Sequence, residues 1–323
     1  MLSFAFMSHC DIPWTNNERG QSSQTLFTKN QTKSQEKKRT VMKILLIICL
    51  LCVSSAKSSD GEASAEKKCE GIHVHDKFHK KDVIGMGLNR PYQLAYDHGD
   101  HKIFFSYNTG KDDEDSFEIG YIEKGHIKHK VVPSVENGFA IAIDNKDNLV
   151  YFGGSEGIYK QHLKTNGSKV EKIISHHNIW DMFFKHHLYF IEYPSQKLYK
   201  CEHDKTKIKI EHQKAIHEKI FQFAIDGDDD MFITNETGLY RIKNGTDRRI
   251  HYDGPKIYRA IEIDNKGVAH FSGQNGIFIV NKENDTLEKI AHIKNIFGIA
   301  FDSQNHIVYS DPHEIVKLLP EDC

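Results

Sequence analysis

The sequence predicts an all-β fold, a six-bladed β-propeller. Three observations carry that expectation. A pair of strands recurs six times, the first closing on Asp in five copies, a third and fourth strand follow nearly every copy, and no long amphipathic helical pattern occurs. The composition agrees with a globular chain. Hydrophobic residues make up 38% of the 323 positions, enough for a sizeable core, and 43 basic residues nearly balance 45 acidic ones. That balance argues against a polybasic nucleic-acid binder, and the hydropathy against a polytopic membrane protein.

The N-terminal region reads as processing signal, not fold. Ile44–Val53 is an apolar run, preceded by Lys43 and followed by Ser54-Ser55-Ala56, the pattern of a secretory signal peptide over 42–56. It is too short to span a bilayer, which takes about 20 apolar residues. Residues 1–41 are polar and lie ahead of Met42, which reads as the working start. They are expected to be an over-long gene model or disordered. Residues 57–68 read as a short disordered linker and 69–323 as one propeller domain. Cleavage after Ala56 removes Cys10, Cys49 and Cys52 and keeps Cys69, Cys201 and Cys323.

The repeats begin at Tyr92, Phe139, Trp180, Phe221, Arg259 and Phe297. Their first strands close on Asp97, Asp144, Lys185, Asp226, Asp264 and Asp302, at intervals of 47, 41, 41, 38 and 38 residues. The recurring Asp suits a tight turn, where its carboxylate accepts backbone N–H groups. Third strands follow as FEIGYI, GIYKQHL, KLYKCEH, GLYRIKN, GIFIVNK and EIVKLL. Fourth strands follow the first five as HIKHKVV, KVEKIISH, KIKIEHQKAI, RRIHYD and LEKIAHI. The sixth copy has none, and Gly71–His79 (GIHVHDKFH) is the strand expected to close the ring by pairing with the C-terminal blade. That pairing places Cys69 beside Cys323 and predicts a disulfide suited to an oxidising compartment. Cys201, on a third strand, is then left buried and inert. Sequons at Asn166, Asn235, Asn244 and Asn284 fit secretion, and three of them fall at third-to-fourth strand turns.

First strands of a propeller line its channel. Five residues before each Asp stand Tyr92, Phe139, Trp180, Phe221, Arg259 and Phe297, and the next positions include Gln93, Asp181 and Gln222. One reading is a ring of aromatic faces at a channel mouth, with amides, one carboxylate and a guanidinium for an acidic, planar ligand. The other is that these rings wedge between blades, since they share the parity of the apolar positions two and four residues on. A hydrolytic, metal-dependent centre of the lactonase or esterase type is the alternative function. It would draw on Asp181 with Glu136, Glu192 and Asp311. No GxSxG or HExxH motif supports it, so a non-enzyme without a cofactor is expected. A secreted protein-interaction module is a third possibility. His73 and His75 alternate and would share a strand face, where they could hold a metal ion weakly. His176-His177 and His186-His187 would not. The DDEDS stretch from Asp112 reads as a solvated loop.

The segment NRPYQLAYDHGDHKIFFSYN, Asn89–Asn108, together with the preceding CEGIHV and the short secretory signal, resembles the ommochrome-binding proteins of insect haemolymph. The resemblance runs over the whole chain beyond the signal. It implies a secreted haemolymph carrier for planar, aromatic, acidic phenoxazinone pigments. The expected partner is therefore a small aromatic pigment, with no nucleic-acid or membrane partner, bound by a monomer.

Overall fold

The computed structural model describes residues 70–111, 114–164, 168–204 and 207–323. The expected extension, signal peptide and linker lie outside the described residues, as do Cys69 and Asn166. What is described is built from strands and turns.

It starts with a hairpin, β1 (Gly71–Val74) and β2 (Lys77–Met86). A four-stranded antiparallel sheet follows: β3 (Leu94–Asp97), β4 (Lys102–Asn108), β5 (Phe117–Ile122) and β6 (Lys130–Val131). The second comprises β7 (Ala140–Asp144), β8 (Leu149–Gly154), β9 (Gly157–His162) and β10 (Glu171–Ser175). The third comprises β11 (Ile179–Lys185), β12 (His187–Glu192), β13 (Lys197–Asp204) and β14 (Lys207–His212). The fourth comprises β15 (Gln222–Ile225), β16 (Met231–Asn235), β17 (Gly238–Ile242) and β18 (Arg249–Tyr252). The remaining strands are β19 (Tyr258–Ile263), β20 (Ala269–Gly273), β21 (Gly276–Asn281), β22 (Thr286–Ala291), β23 (Ile299–Phe301), β24 (Ile307–Ser310) and β25 (Glu314–Pro320). With the hairpin they form one nine-stranded sheet, ordered β19-β20-β21-β22-β1-β2-β25-β24-β23.

Gly71–His79 is not one strand. His75, at φ 50°, and Asp76 turn the chain back, so Val74 faces Lys77 across β1 and β2. The strand lying along β25 is β2, in register from His79 opposite Pro320 to Met86 opposite Glu314. His73 therefore sits in β1 and His75 in a turn, off the alternation that would have aligned them.

The recurring Asp holds a turn. Asp97 Oδ1 accepts the N–H of Gly99 at 2.9 Å, Asp144 those of Lys146 and Asp147, and Asp226 those of Asp228 and Asp230. Asp264 takes Lys266 and Val268, and Asp302 takes Gln304 and His306. Each carboxylate satisfies donors that the turn would otherwise leave unpaired. The third copy turns more tightly, through His186 at φ 58°, and its Lys185 reaches the neighbouring turn, donating to the Asp226 carbonyl and to Asp229 Oδ1. Lys282 adds a bridge to that turn, pairing with Asp226, with Asp228 at 2.8 Å and with Asp230 at 3.1 Å. Burial works against its ammonium, but the three carboxylates push its pKa up to about 12.

The first strands pack in a cycle: β3 on β7, β7 on β11, β11 on β15, β15 on β19, β19 on β23, and β23 on β3. The apolar core is divided the same way, into six clusters that each draw on two successive groups of strands. Phe105, Phe152 and Phe190, on the second strands of three sheets, are at most 1% exposed. Each faces the first-strand residue three before its Asp or Lys: Leu94, Ile141 or Met182. Burying such a ring stabilises the fold by about 2 kcal/mol.

Candidate functional site

The six first strands enclose a channel whose two ends differ. At the upstream end the chain does not keep its alternation. In β11, Ile179 faces Glu192 and Asp181 faces Ile191, so Trp180 is the extra residue of a bulge. Arg259 is the extra residue in β19, between Tyr258 opposite Gly273 and Ala260 opposite Ser272. Three other copies show two residues bonded to one. The Tyr92 N–H meets the Ser106 carbonyl while Gln93 N–H meets its hydroxyl. Thr234 does the same for Phe221 and Gln222, and Ser310 for Phe297 and Gly298. The bulges interrupt the alternation on which the parity argument rests.

The bulged side chains meet one another around this end. Tyr92 lies 4.8 Å from Phe297 and 5.6 Å from Phe139, and Phe139 lies 5.6 Å from Trp180, ring centre to ring centre. The Arg259 guanidinium sits 4.1 Å over the Phe297 ring. Trp180 Nε1 donates to the Phe221 carbonyl at 2.9 Å and its ring stacks on Tyr193. Phe139 and Phe297 are buried, whereas Tyr92, Trp180, Phe221 and Arg259 are half-buried. Thus the structure gathers five of the six predicted positions in one arc, with Phe221 joined through its backbone.

Behind the arc lie the predicted polar residues. Gln93 Nε2 donates to Asp181 Oδ1 at 3.1 Å, linking the first and third copies, and the Phe223 N–H donates to Asp181 Oδ2 at 3.3 Å. Thr234 donates its hydroxyl to Gln222 Oε1. Burial pushes the Asp181 carboxyl up to about 7, against the pull of the Phe223, Met182 and Gln93 donors. Glu262, on β19, brings another acid to the channel. Burial and the nearby charge of Asp181 push it up to about 8. The other residues at its position, two before the Asp or Lys, are Ala95, Ala142, Phe183, Ala224 and Ala300.

The aspartate end opens as a cavity of about 410 Å³. Every first strand contributes the residue before its Asp or Lys to the wall: Tyr96, Ile143, Phe184, Ile225, Ile263 and Phe301. Phe183 and Glu262 also line it. This volume suits a small planar molecule. Sequence reasoning passed over it, although one acid in a column of four alanines and a phenylalanine was the available signal.

The carboxylates considered for a metal centre do not converge. Glu192 bonds His177 Nδ1 at 2.7 Å and the Ser195 hydroxyl, and Asp311 caps the turn at His313 and Glu314. Among the described residues no group of three or more His, Cys, Asp or Glu is arranged to hold a metal ion. Asn244 and Asn284 are exposed in third-to-fourth strand turns, and Asn235 ends β16 in a tighter turn, its Oδ1 accepting from Thr237. Cys201 is 1% exposed, and burial pushes its thiol up to about 12.

No family model matches the chain. A curated relative, the ommochrome-binding protein of Manduca sexta, is 30% identical over 287 residues, covering 87% of this chain and 99% of its own length. Solved structures share the fold at low identity. A gluconolactonase of Xanthomonas campestris superposes with TM-score 0.58 at 11% identity, over 78% of this chain and 96% of its own. A streptogramin B lyase gives 0.53 at 13%, over 75% and 98%. The WD40 β-propeller domain of Doa1 gives 0.51 at 14%, over 79% and 98%. At such identities these likenesses speak for propeller architecture alone.

Proposed function

The chain belongs to the ommochrome-binding protein family, and from that premise we propose that it is a secreted, non-enzymatic carrier of an ommochrome-type pigment. The pigment is held non-covalently at the upstream mouth. The observation that carries this reading is the arc of Trp180, Phe139, Tyr92 and Phe297 ending on Arg259. A planar ring stacks on half-buried Trp180 and Tyr92, Arg259 pairs an acidic group, and Gln93, Asp181, Gln222 and Phe221 border the bound molecule.

The carrier is read as a single six-bladed ring. The cyclic packing of the first strands supports six blades, and the β2–β25 pairing supports closure by the N-terminal hairpin. A Cys69–Cys323 disulfide then ties the two ends. Cys201 is the free cysteine among the described residues, and Cys323 is not a free thiol. The signal peptide at 42–56 and glycans at Asn166, Asn235, Asn244 and Asn284 complete the secreted form, a monomer found in haemolymph.

Titrating the purified secreted protein with an ommatin tests the reading. A saturable shift of the visible band is expected, and Trp180→Ala and Arg259→Ala should each weaken binding about tenfold. Unchanged affinity in both variants would refute the aromatic mouth as the site. Absence of saturable binding, or ion-dependent lactone turnover abolished by Asp181→Ala, would refute the carrier itself.

A further inference from the structure

The aspartate end of the channel is a concave site, and its chemistry differs from that of the upstream mouth. Its walls combine aromatic and aliphatic side chains with the turn residues Asp144, Asn145, Asp226, Asp264 and Asn265, and Glu262 brings a further carboxyl to them. The other charged groups at this end are already engaged. Asp144, Asp226 and Asp264 hold their own turns, and Lys282 also pairs with Asp226. Lys185 is bonded to the next turn and the His98 ring to the Phe301 carbonyl. Glu262, by contrast, meets the N–H of Ile263, forms no ion pair among the described residues, and has the carboxyl of Asp181 as the one charged neighbour that acts on its proton.

A carboxyl set among aromatic side chains favours a cation that brings its own apolar body. We propose that this cavity binds a protonated amine attached to a planar aromatic ring, the amine meeting Glu262 and the ring lying among Tyr96, Phe183, Phe184 and Phe301. The site goes beyond the pigment reading, because it uses the other end of the channel and the opposite ligand charge. A bound ammonium replaces the proton that Glu262 holds near neutrality, so binding releases a proton and strengthens as pH rises through about 8.

Three probes with one ring and three charges test it by calorimetry: tryptamine, the neutral alcohol tryptophol, and indole-3-acetate. At pH 8.5 tryptamine is expected to bind about tenfold more tightly than tryptophol, with indole-3-acetate weakest. Glu262→Gln keeps the shape of the protonated acid and should erase the preference while leaving ommatin binding unchanged, so the two readings fail separately. The parent protein supplies an independent arm, since its tryptamine affinity should fall between pH 8.5 and pH 6 while tryptophol stays constant. Equal binding of the three probes, a preference that survives in Glu262→Gln, or a flat tryptamine profile overturns the proposal.

Discussion

Replacing Asp181 with asparagine should stabilise the protein in neutral and alkaline solution, and hardly at all in acid. The Asp181 side chain is 6% exposed, and its carboxyl keeps a proton up to about pH 7 rather than the ordinary 3.8. Below pH 3.8 it is protonated in both folded and unfolded chains and contributes no difference. Between 3.8 and 7 the unfolded chain ionises while the native one does not, so stability falls as pH rises. Roughly three pH units at about 1.4 kcal/mol each amount to about 4 kcal/mol, lost in full above pH 7. Asparagine has no proton to hold. Its Oδ1 can take the Phe223 N–H, and Gln93 can turn its amide over to accept from the new Nδ2. Urea unfolding of parent and variant should show a gap of about 4 kcal/mol at pH 8 and about 1.5 kcal/mol at pH 5. An identical pH dependence in the two proteins would mean that Asp181 is ionised in the native channel, and the reasoning about its burial would fail.

Other perturbations have equally definite outcomes. Lys282→Met leaves the buried Asp226 and Asp230 facing each other without their shared cation, and should lower unfolding free energy by about 3 kcal/mol. Gly298→Ala would drive a Cβ into the Tyr92 carbonyl oxygen, on the seam between β23 and β3, and should cost about 2 kcal/mol by the same measurement. Cys201 should resist a thiol-specific colorimetric reagent in the native protein and react at once in denaturant, since burial disfavours its thiolate. Cys69→Ser and Cys323→Ser should each lower the melting temperature, and equally, if the two are bonded. The chain-entropy model allows up to about 5 kcal/mol for so long a loop.

Much of the fold was legible because its signals are local. Asp before a turn caps backbone donors whatever surrounds it, so Asp97, Asp144, Asp226, Asp264 and Asp302 marked five corners directly. The third strands were equally plain from their β-branched and aromatic content. The bulges were not legible by alternation, because one extra residue reverses every parity argument upstream of it. Ser106, Thr234 and Ser310 hold three of them through a hydroxyl on the neighbouring strand, a contact no local pattern reveals. The break at His75 was missed for a related reason, since a non-glycine residue at positive φ leaves little trace in a run that otherwise reads as strand. Glu262 was visible but unremarked, because its meaning depends on the four alanines and Phe183 at its counterpart positions and on the enclosure they share.

The six clusters of apolar side chains have a consequence for how the molecule comes apart. Each group of strands owns half of two clusters and the whole of none. A linear array can fray from an end, because its terminal unit gives up one interface. A cycle has no terminal unit, and detaching any member strips two interfaces while opening the circuit. Heat or denaturant should therefore meet a single all-or-none melting transition across the ring, with fluorescence of Trp180 and far-ultraviolet dichroism of the strands disappearing together.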